Sequence, residues 1–227
     1  MPSAATVAIE ASSPVPRHPL RAAELAVMAG LAALMVAATA LAWWPIGWME
    51  VAGFVTGGVC VWLTVREHVA NFPVGLANNA AFFILFWQGR LFADAGLQIV
   101  YFGLGLYGWW NWLHGGARRG RLTITRIPRA ELLFLLLAIP VATWLLRMWL
   151  IAVQGAAPFF DALTTVLSLV AQTMLCRKRL EHWLVWMAAD VIYVPLYLSR
   201  QLPLTAALYF VFLVMCVVGW RQWRRAA

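Results

Sequence analysis

The sequence predicts an all-α integral membrane fold of about eight transmembrane helices: two parallel three-helix repeats joined by a connecting helix, with one further helix at the N-terminus. Three observations predict it. The 227 residues are 63% hydrophobic and only 11% charged, with a mean hydropathy of +0.78, which leaves too little polar surface to solvate a globule of that size. Apolar runs long enough to form membrane helices recur along the chain, separated by short basic loops. The third observation is internal: residues 50–112 align on 161–223 without a gap at an offset of 111. Glu50 then falls on Asp161, Arg66 on Arg177, Asn79 on Asp190, and the closing Gly108-Trp109-x-x-Trp112 on Gly219-Trp220-x-x-Trp223. Such self-similarity constrains an architecture before any single residue is interpreted.

Taken in order, residues 1–23 mix Pro, Ser and Ala with scattered charge and predict a flexible N-terminal tail. Residues 24–227 form a single membrane domain. Its first helix, 24–46, is an Ala, Leu and Val run of about 20 residues, enough to cross a ~30 Å hydrocarbon core. A retained helix is favoured over a signal peptide, because no small-residue cleavage site stands out and another span follows closely. The first repeat, 50–113, contains spans near 50–65, 72–87 and 95–113. A connecting helix follows at 131–151. The second repeat, 161–223, contains spans near 161–176, 183–198 and 203–220. The span that begins at Asp161 covers only about 24 Å at ~1.5 Å per residue, so its ends fall in the interface or a cavity.

Basic residues set the orientation, since Lys and Arg of short loops stay cytoplasmic. With eight spans, 14 of the 17 basic residues lie on one side and only Arg90, Arg147 and Arg200 on the other. Both termini are therefore expected in the cytoplasm. Four spans separate the starts of the two repeats, and an even number makes the repeats parallel. The net charge of +8 is on this reading a topology signal, and no nucleic-acid partner is expected. Cys60, Cys176 and Cys216 are isolated in apolar runs, without metal-ligand spacing. His18, His68, His114 and His182 lie at membrane edges and form no cluster. Phosphate-binding loops, nucleophile elbows and zinc-protease helices are lacking, so neither an enzyme nor a cofactor or metal is expected.

The chemistry-bearing residues concentrate in the second repeat. Trp183, Trp186 and Asp190 stand at i, i+3 and i+7 and share one helical face. Two indoles and a carboxylate on one stripe suit a flat, positively charged ring through stacking, cation–π attraction and a counter-charge. An interfacial aromatic belt is the plainer alternative for Trp183. Asp190 lies about two turns into an apolar span, where an ionised carboxylate costs ~2.5–3.5 kcal/mol on insertion scales. It must face a partner, water or a ligand; an ion pair with Arg200 or Arg147 is the structural alternative. Its counterpart Asn79 stands beside Asn78. Gln98 and Tyr101 share a helical face, and Gln172 lies about three turns inside its span. Each of these can hydrogen-bond a sugar or amide, or serve as interhelical glue. The two Gly-Trp-x-x-Trp endings read as interfacial anchors.

These residues carry a resemblance. Asp161, Ala171-Gln172, Arg177-Lys178, Glu181-x-Trp183-x-x-Trp186 and Gly219-Trp220-x-x-Trp223 belong to it, as do Gly75-Leu76-x-Asn78, Leu97-Gln98-x-x-Tyr101 and Gly108-Trp109-x-x-Trp112 earlier. Together they resemble the PnuC family of bacterial nicotinamide riboside transporters over residues 50–223. The resemblance implies a three-plus-one-plus-three arrangement like that of SWEET sugar transporters. It also implies facilitated diffusion of a vitamin precursor, made one-way by cytosolic phosphorylation. Asn78, Asn79, Gln98, Tyr101, Gln172, Trp183, Trp186 and Asp190 then become the substrate-binding set, with a small-molecule substrate and the lipid bilayer as partners. A homo-oligomer is left open. Where many relatives are expected to carry an amide, this chain has Asp190, which opens thiamine, riboflavin or a deoxynucleoside as alternative substrates. An intramembrane enzyme or a structural membrane protein are the rival classes.

Overall fold

A computed structural model describes residues 48–88, 90, 92–154, 157–199 and 203–227, with the single positions 30 and 33. The expected tail 1–23 and first helix 24–46 thus lie outside the described residues, those two positions aside. Seven helices are described: α1 (Trp48–Val65), α2 (Asn71–Gln88), α3 (Phe92–His114), α4 (Arg129–Ala152), α5 (Pro158–Cys176), α6 (His182–Ser199) and α7 (Pro203–Arg224). Each coincides with one of the expected apolar runs to within about one helical turn. A 3-10 turn at Ala117–Arg119 follows α3.

The eight-span, SWEET-like arrangement is corrected. Three stretches among the described residues are long and apolar enough to cross a membrane: Arg129–Ala152, Pro158–Cys176 and Ala206–Arg224. The physical reason lies in composition. In α1, Val51–Val65 forms a shorter apolar stretch. In α2, α3 and α6, Asn71, Asn78, Asn79, Gln98, Asp190 and many Gly, Trp and Tyr residues dilute the hydrophobicity that apolar runs suggest.

Six helices close a ring of neighbours: α1 packs on α2, α2 on α3, α3 on α5, α5 on α6, α6 on α7, and α7 back on α1. Helix α4 stands outside it against α5. Its Leu133, Phe134, Leu137, Val141, Trp144 and Leu145 are all more than half exposed, the pattern of a helix solvated by acyl chains.

The ring is knotted together at its arginine-rich end by indoles. Trp112 donates its Nε1–H to the carbonyl of Leu175 at 2.9 Å. Trp223 donates to those of Thr64 and Val65 at 3.1 and 3.3 Å. These carbonyls sit in the last turns of α5 and α1, past the helices' own i+4 donors, and Leu175 and Thr64 also accept from the turn N–H groups of Lys178 and Glu67 at 2.9 Å. Trp112 and Thr64 fall on Trp223 and Leu175 at the 111-residue offset, so the two bonds are reciprocal. The closing residue of each Gly-Trp-x-x-Trp ending is consequently sealed, 3% exposed at Trp112 and 1% at Trp223, in place of the expected interfacial anchor. The motif glycines have a matching purpose. A Cβ on Gly219 would meet the Trp183 ring, and one on Gly108 would meet Phe72 and the Cys176 sulfur, well inside contact distance.

Gly219→Ala is therefore expected to cost about 1–3 kcal/mol through overpacking. Gly103→Ala, whose Cβ meets nothing within 4 Å, should leave stability unchanged or slightly raised. Thermal unfolding in detergent checks both; equal midpoints would contradict the packing of Trp183 on the α7 backbone.

Candidate functional site

The stripe on α6 extends further than two indoles and an acid. Trp183, Trp186, Asp190, Tyr193 and Tyr197 follow one another at spacings of three and four, a single helical face. At the arginine-rich end Trp183 is 1% exposed. It lies edge-on to Trp223 at 5.6 Å and against His182 at 4.4 Å, and Trp186 packs on the same aromatic cluster. Trp183 is thus part of the packed core.

Asp190, one turn beyond Trp186, is 3% exposed. Its Oδ2 accepts a long hydrogen bond from the Cys216 thiol of α7 at 3.7 Å. Among the described residues no Lys, Arg or His forms an ion pair with it. Of the two expected partners, Arg147 lies over the Trp144 ring at 5.2 Å, and Arg200 is outside the described residues. A thiol is a weak donor, so this carboxylate is left short of the positive charge that burial demands.

Beside it three tyrosines converge. Tyr209 of α7 lies 4.5 Å from Tyr193 and 5.1 Å from Tyr197, parallel to the latter within 12°. The Tyr193 hydroxyl lies near Thr164 and Ser168 of α5, and Tyr101 of α3 lies near the same Ser168. Tyr193 and Tyr209 both lie near Asp190. Four helices, α3, α5, α6 and α7, thus bring a carboxylate, four phenols and two small hydroxyls to one place. Tyr193, Tyr197, Tyr209, Thr164 and Ser168 were missed in the sequence. The signal was the continuation of the Trp183-Trp186-Asp190 stripe by two more steps.

The remaining predicted residues are placed elsewhere. Asn79 and Gln98 come together on a cavity of about 290 Å³ between α2 and α3, lined otherwise by Ala80, Phe83, Ile84, Ile99 and Phe102. Asn78 faces α1, donating to Thr56 Oγ1 and to the Gly53 carbonyl, beside a cavity of about 110 Å³. Gln172 is half-buried on α5, with no side-chain hydrogen bond among the described residues. The eight expected residues are therefore divided between the two halves of the ring. No group of three or more His, Cys, Asp or Glu suited to a metal exists among the described residues.

Beyond the aromatic cluster, Lys178 in the turn after α5 is 5% exposed. Its ammonium donates to Glu67 Oε1 at 2.6 Å and to the Leu122 carbonyl at 2.8 Å, and lies 4.4 Å from the centre of the Trp112 ring. Burial pulls this ammonium below its ordinary range, while the Glu67 carboxylate opposes the shift. Arg177 and Arg179 both bridge to Glu131 of α4 at 3.0 Å, and Glu181 accepts from the Ile127 backbone at 2.8 Å.

The comparisons agree with this architecture. The family model described as Nicotinamide mononucleotide transporter matches residues 47–225. The nicotinamide riboside transporter PnuC of Escherichia coli is 27% identical over 208 residues, covering 80% of this chain and 87% of that protein. The riboflavin/roseoflavin transporter RibM of Streptomyces davaonensis is 26% identical over 180 residues, covering 78% and 84%. A crystal structure of the vitamin B3 transporter PnuC superimposes with a TM-score of 0.70 at 20% identity, over 91% of this chain and 94% of that one, which establishes a shared fold. With the family model spanning every described helix almost end to end, the chain belongs to the nicotinamide mononucleotide transporter family and is a multi-pass membrane transporter.

Proposed function

We propose that this transporter carries nicotinamide riboside across the bacterial inner membrane by facilitated diffusion, with both termini in the cytoplasm and cytosolic phosphorylation making uptake one-way. The observation that carries the reading is Asp190: a 3% exposed carboxylate with a thiol at 3.7 Å, next to a stack of electron-rich rings. A pyridinium riboside supplies what this environment lacks. Its fixed positive charge compensates the acid, its flat ring interacts with the tyrosine faces, and its ribose hydroxyls match Tyr101, Ser168 and Thr164. Relatives named nicotinamide riboside transporters support the same substrate.

Within this reading Gln172 hydrogen-bonds the substrate from α5, and Trp186 closes the site towards the aromatic cluster, with Trp183 behind it. Asn79 and Gln98 offer amides from the α2–α3 cavity, and Asn78 stays with Thr56 as a positioning contact. Access alternates by movement of helices about this site, the general plan of transporters with midplane sites. Riboflavin is the second reading, favoured by the Streptomyces relative. A neutral flavin, however, gains nothing from a buried carboxylate.

Calorimetric titration of the purified chain with nicotinamide riboside, thiamine, riboflavin and a deoxynucleoside tests the substrate. Heat is expected with the first; silence there and clear heat from another would refute it. Asp190→Asn keeps the shape and removes the charge, and should weaken nicotinamide riboside by about tenfold or more, the worth of a charge-assisted bond. Equal losses for the riboside and riboflavin would remove the charge argument. Tyr193→Phe keeps the ring and loses the hydroxyl. Its riboside affinity should fall about two- to tenfold, with the unfolding midpoint nearly unchanged; unchanged affinity would take Tyr193 out of the site.

A further inference from the structure

We propose that Glu67 and Lys178 form the latch of a gate that closes the arginine-rich end of the helix ring, and that this ion pair breaks when that end opens. Both residues follow the C-terminus of a helix, α1 and α5, two positions after its last residue. They are related by the same 111-residue offset as the indole caps. Both adopt left-handed backbone conformations, with φ of 54° at Glu67 and 49° at Lys178, which side-chain-bearing residues rarely hold without support. Their side chains meet at 2.6 Å in the midst of the Trp112 and Trp223 bonds that join the two halves.

Lys178 also ties in the segment that follows α3. Its ammonium binds the Leu122 carbonyl, its own carbonyl accepts from Thr125 N–H at 3.1 Å, and Leu180 N–H returns to the Thr125 carbonyl at 2.9 Å. One buried ammonium thus holds α1, the α3–α4 segment and the α5–α6 turn together.

The closed arrangement carries counter-forces. His182 Nε2 and Trp183 Nε1 are buried without a hydrogen-bond partner among the described residues, and each such orphan is costly. Two left-handed non-glycine positions add to them. A strong charge-assisted bond opposed by unsatisfied groups in the adjoining aromatic cluster is the make-up of an element with two arrangements close in energy. Opening of this end hydrates the orphan nitrogens as it breaks the ion pair.

Cys176 reports the gate. It stands two residues before Lys178 in the chain and is fully buried, its thiol donating to the Leu104 carbonyl at 3.1 Å, and its carbonyl accepts from Asn111 at 2.9 Å. Alkylation of the purified full chain by a water-soluble maleimide, resolved by peptide mass spectrometry, gives its labelling rate without any substrate. The test therefore stands apart from the identity of the cargo. Glu67→Gln and Lys178→Met, each with a cooperative unfolding transition retained, should label at Cys176 about tenfold or more faster than the wild type. Lys178→Arg, which keeps the charge, should stay close to the wild-type rate. Folded Glu67→Gln labelling at the wild-type rate would overturn the latch. So would Lys178→Arg labelling as fast as Lys178→Met.

Discussion

A carboxylate buried in an apolar ring of helices has few acceptable fates: it pairs with a cation, it takes a proton, or it waits for a charged guest. Asp190 is 3% exposed and has a thiol at 3.7 Å. The proposed binding site is built around that shortage. The aromatic stripe of α6 carries the acid, α7 supplies Cys216 and Tyr209, and α3 and α5 bring hydroxyls near Tyr193 on the same stripe. A transporter must bind its cargo strongly enough to select it and weakly enough to release it. On the proposed function, a buried carboxylate among phenols would select its cargo by sign, with affinity set by how much desolvation the cation must repay.

The 111-residue offset shows how such a site arises beside a plainer twin. Asn79 stands where Asp190 does, Phe82 and Phe86 where Tyr193 and Tyr197 do, and Gly53 and Gly57 where Thr164 and Ser168 do. Phe82 and Phe86 still stack, at 5.6 Å, so the ring geometry is common to both halves while the hydroxyls and the charge belong to one. The frame that both halves use is also reciprocal. Each half caps a helix of the other with an indole, and the two are joined through Glu67 and Lys178.

The positions of the helices could be read from the sequence because apolar runs and helix length follow from the same solvent requirement. The number of membrane spans could not. In α2 and α3, Asn78, Asn111 and Trp112 hydrogen-bond to neighbouring helices, and composition alone does not show which residues face lipid. Asp190 stood out because a lone acid in an apolar span always needs a reason. Tyr193 and Tyr197 were equally visible on its stripe, yet a tyrosine in a membrane span carries no comparable alarm. The inward turn of Trp112 and Trp223 was beyond a sequence reading: aromatic residues at helix ends suggest a belt, and only the packed ring places the Leu175 and Thr64 carbonyls beneath them. Gln98, Asn79 and Asn78 have the chemistry expected of a site but sit by cavities away from Asp190, since depth in a span does not fix the direction a side chain faces.

The central claim, that a buried negative charge selects a positively charged ring, is tested most directly by two ligands of one shape. Nicotinamide riboside and its reduced dihydropyridine form differ in the charge of the ring. Measured by titration against the unmodified chain, the cationic form should bind about tenfold or more tightly than the neutral one. Equal affinities, or tighter binding of the reduced form, would contradict the account.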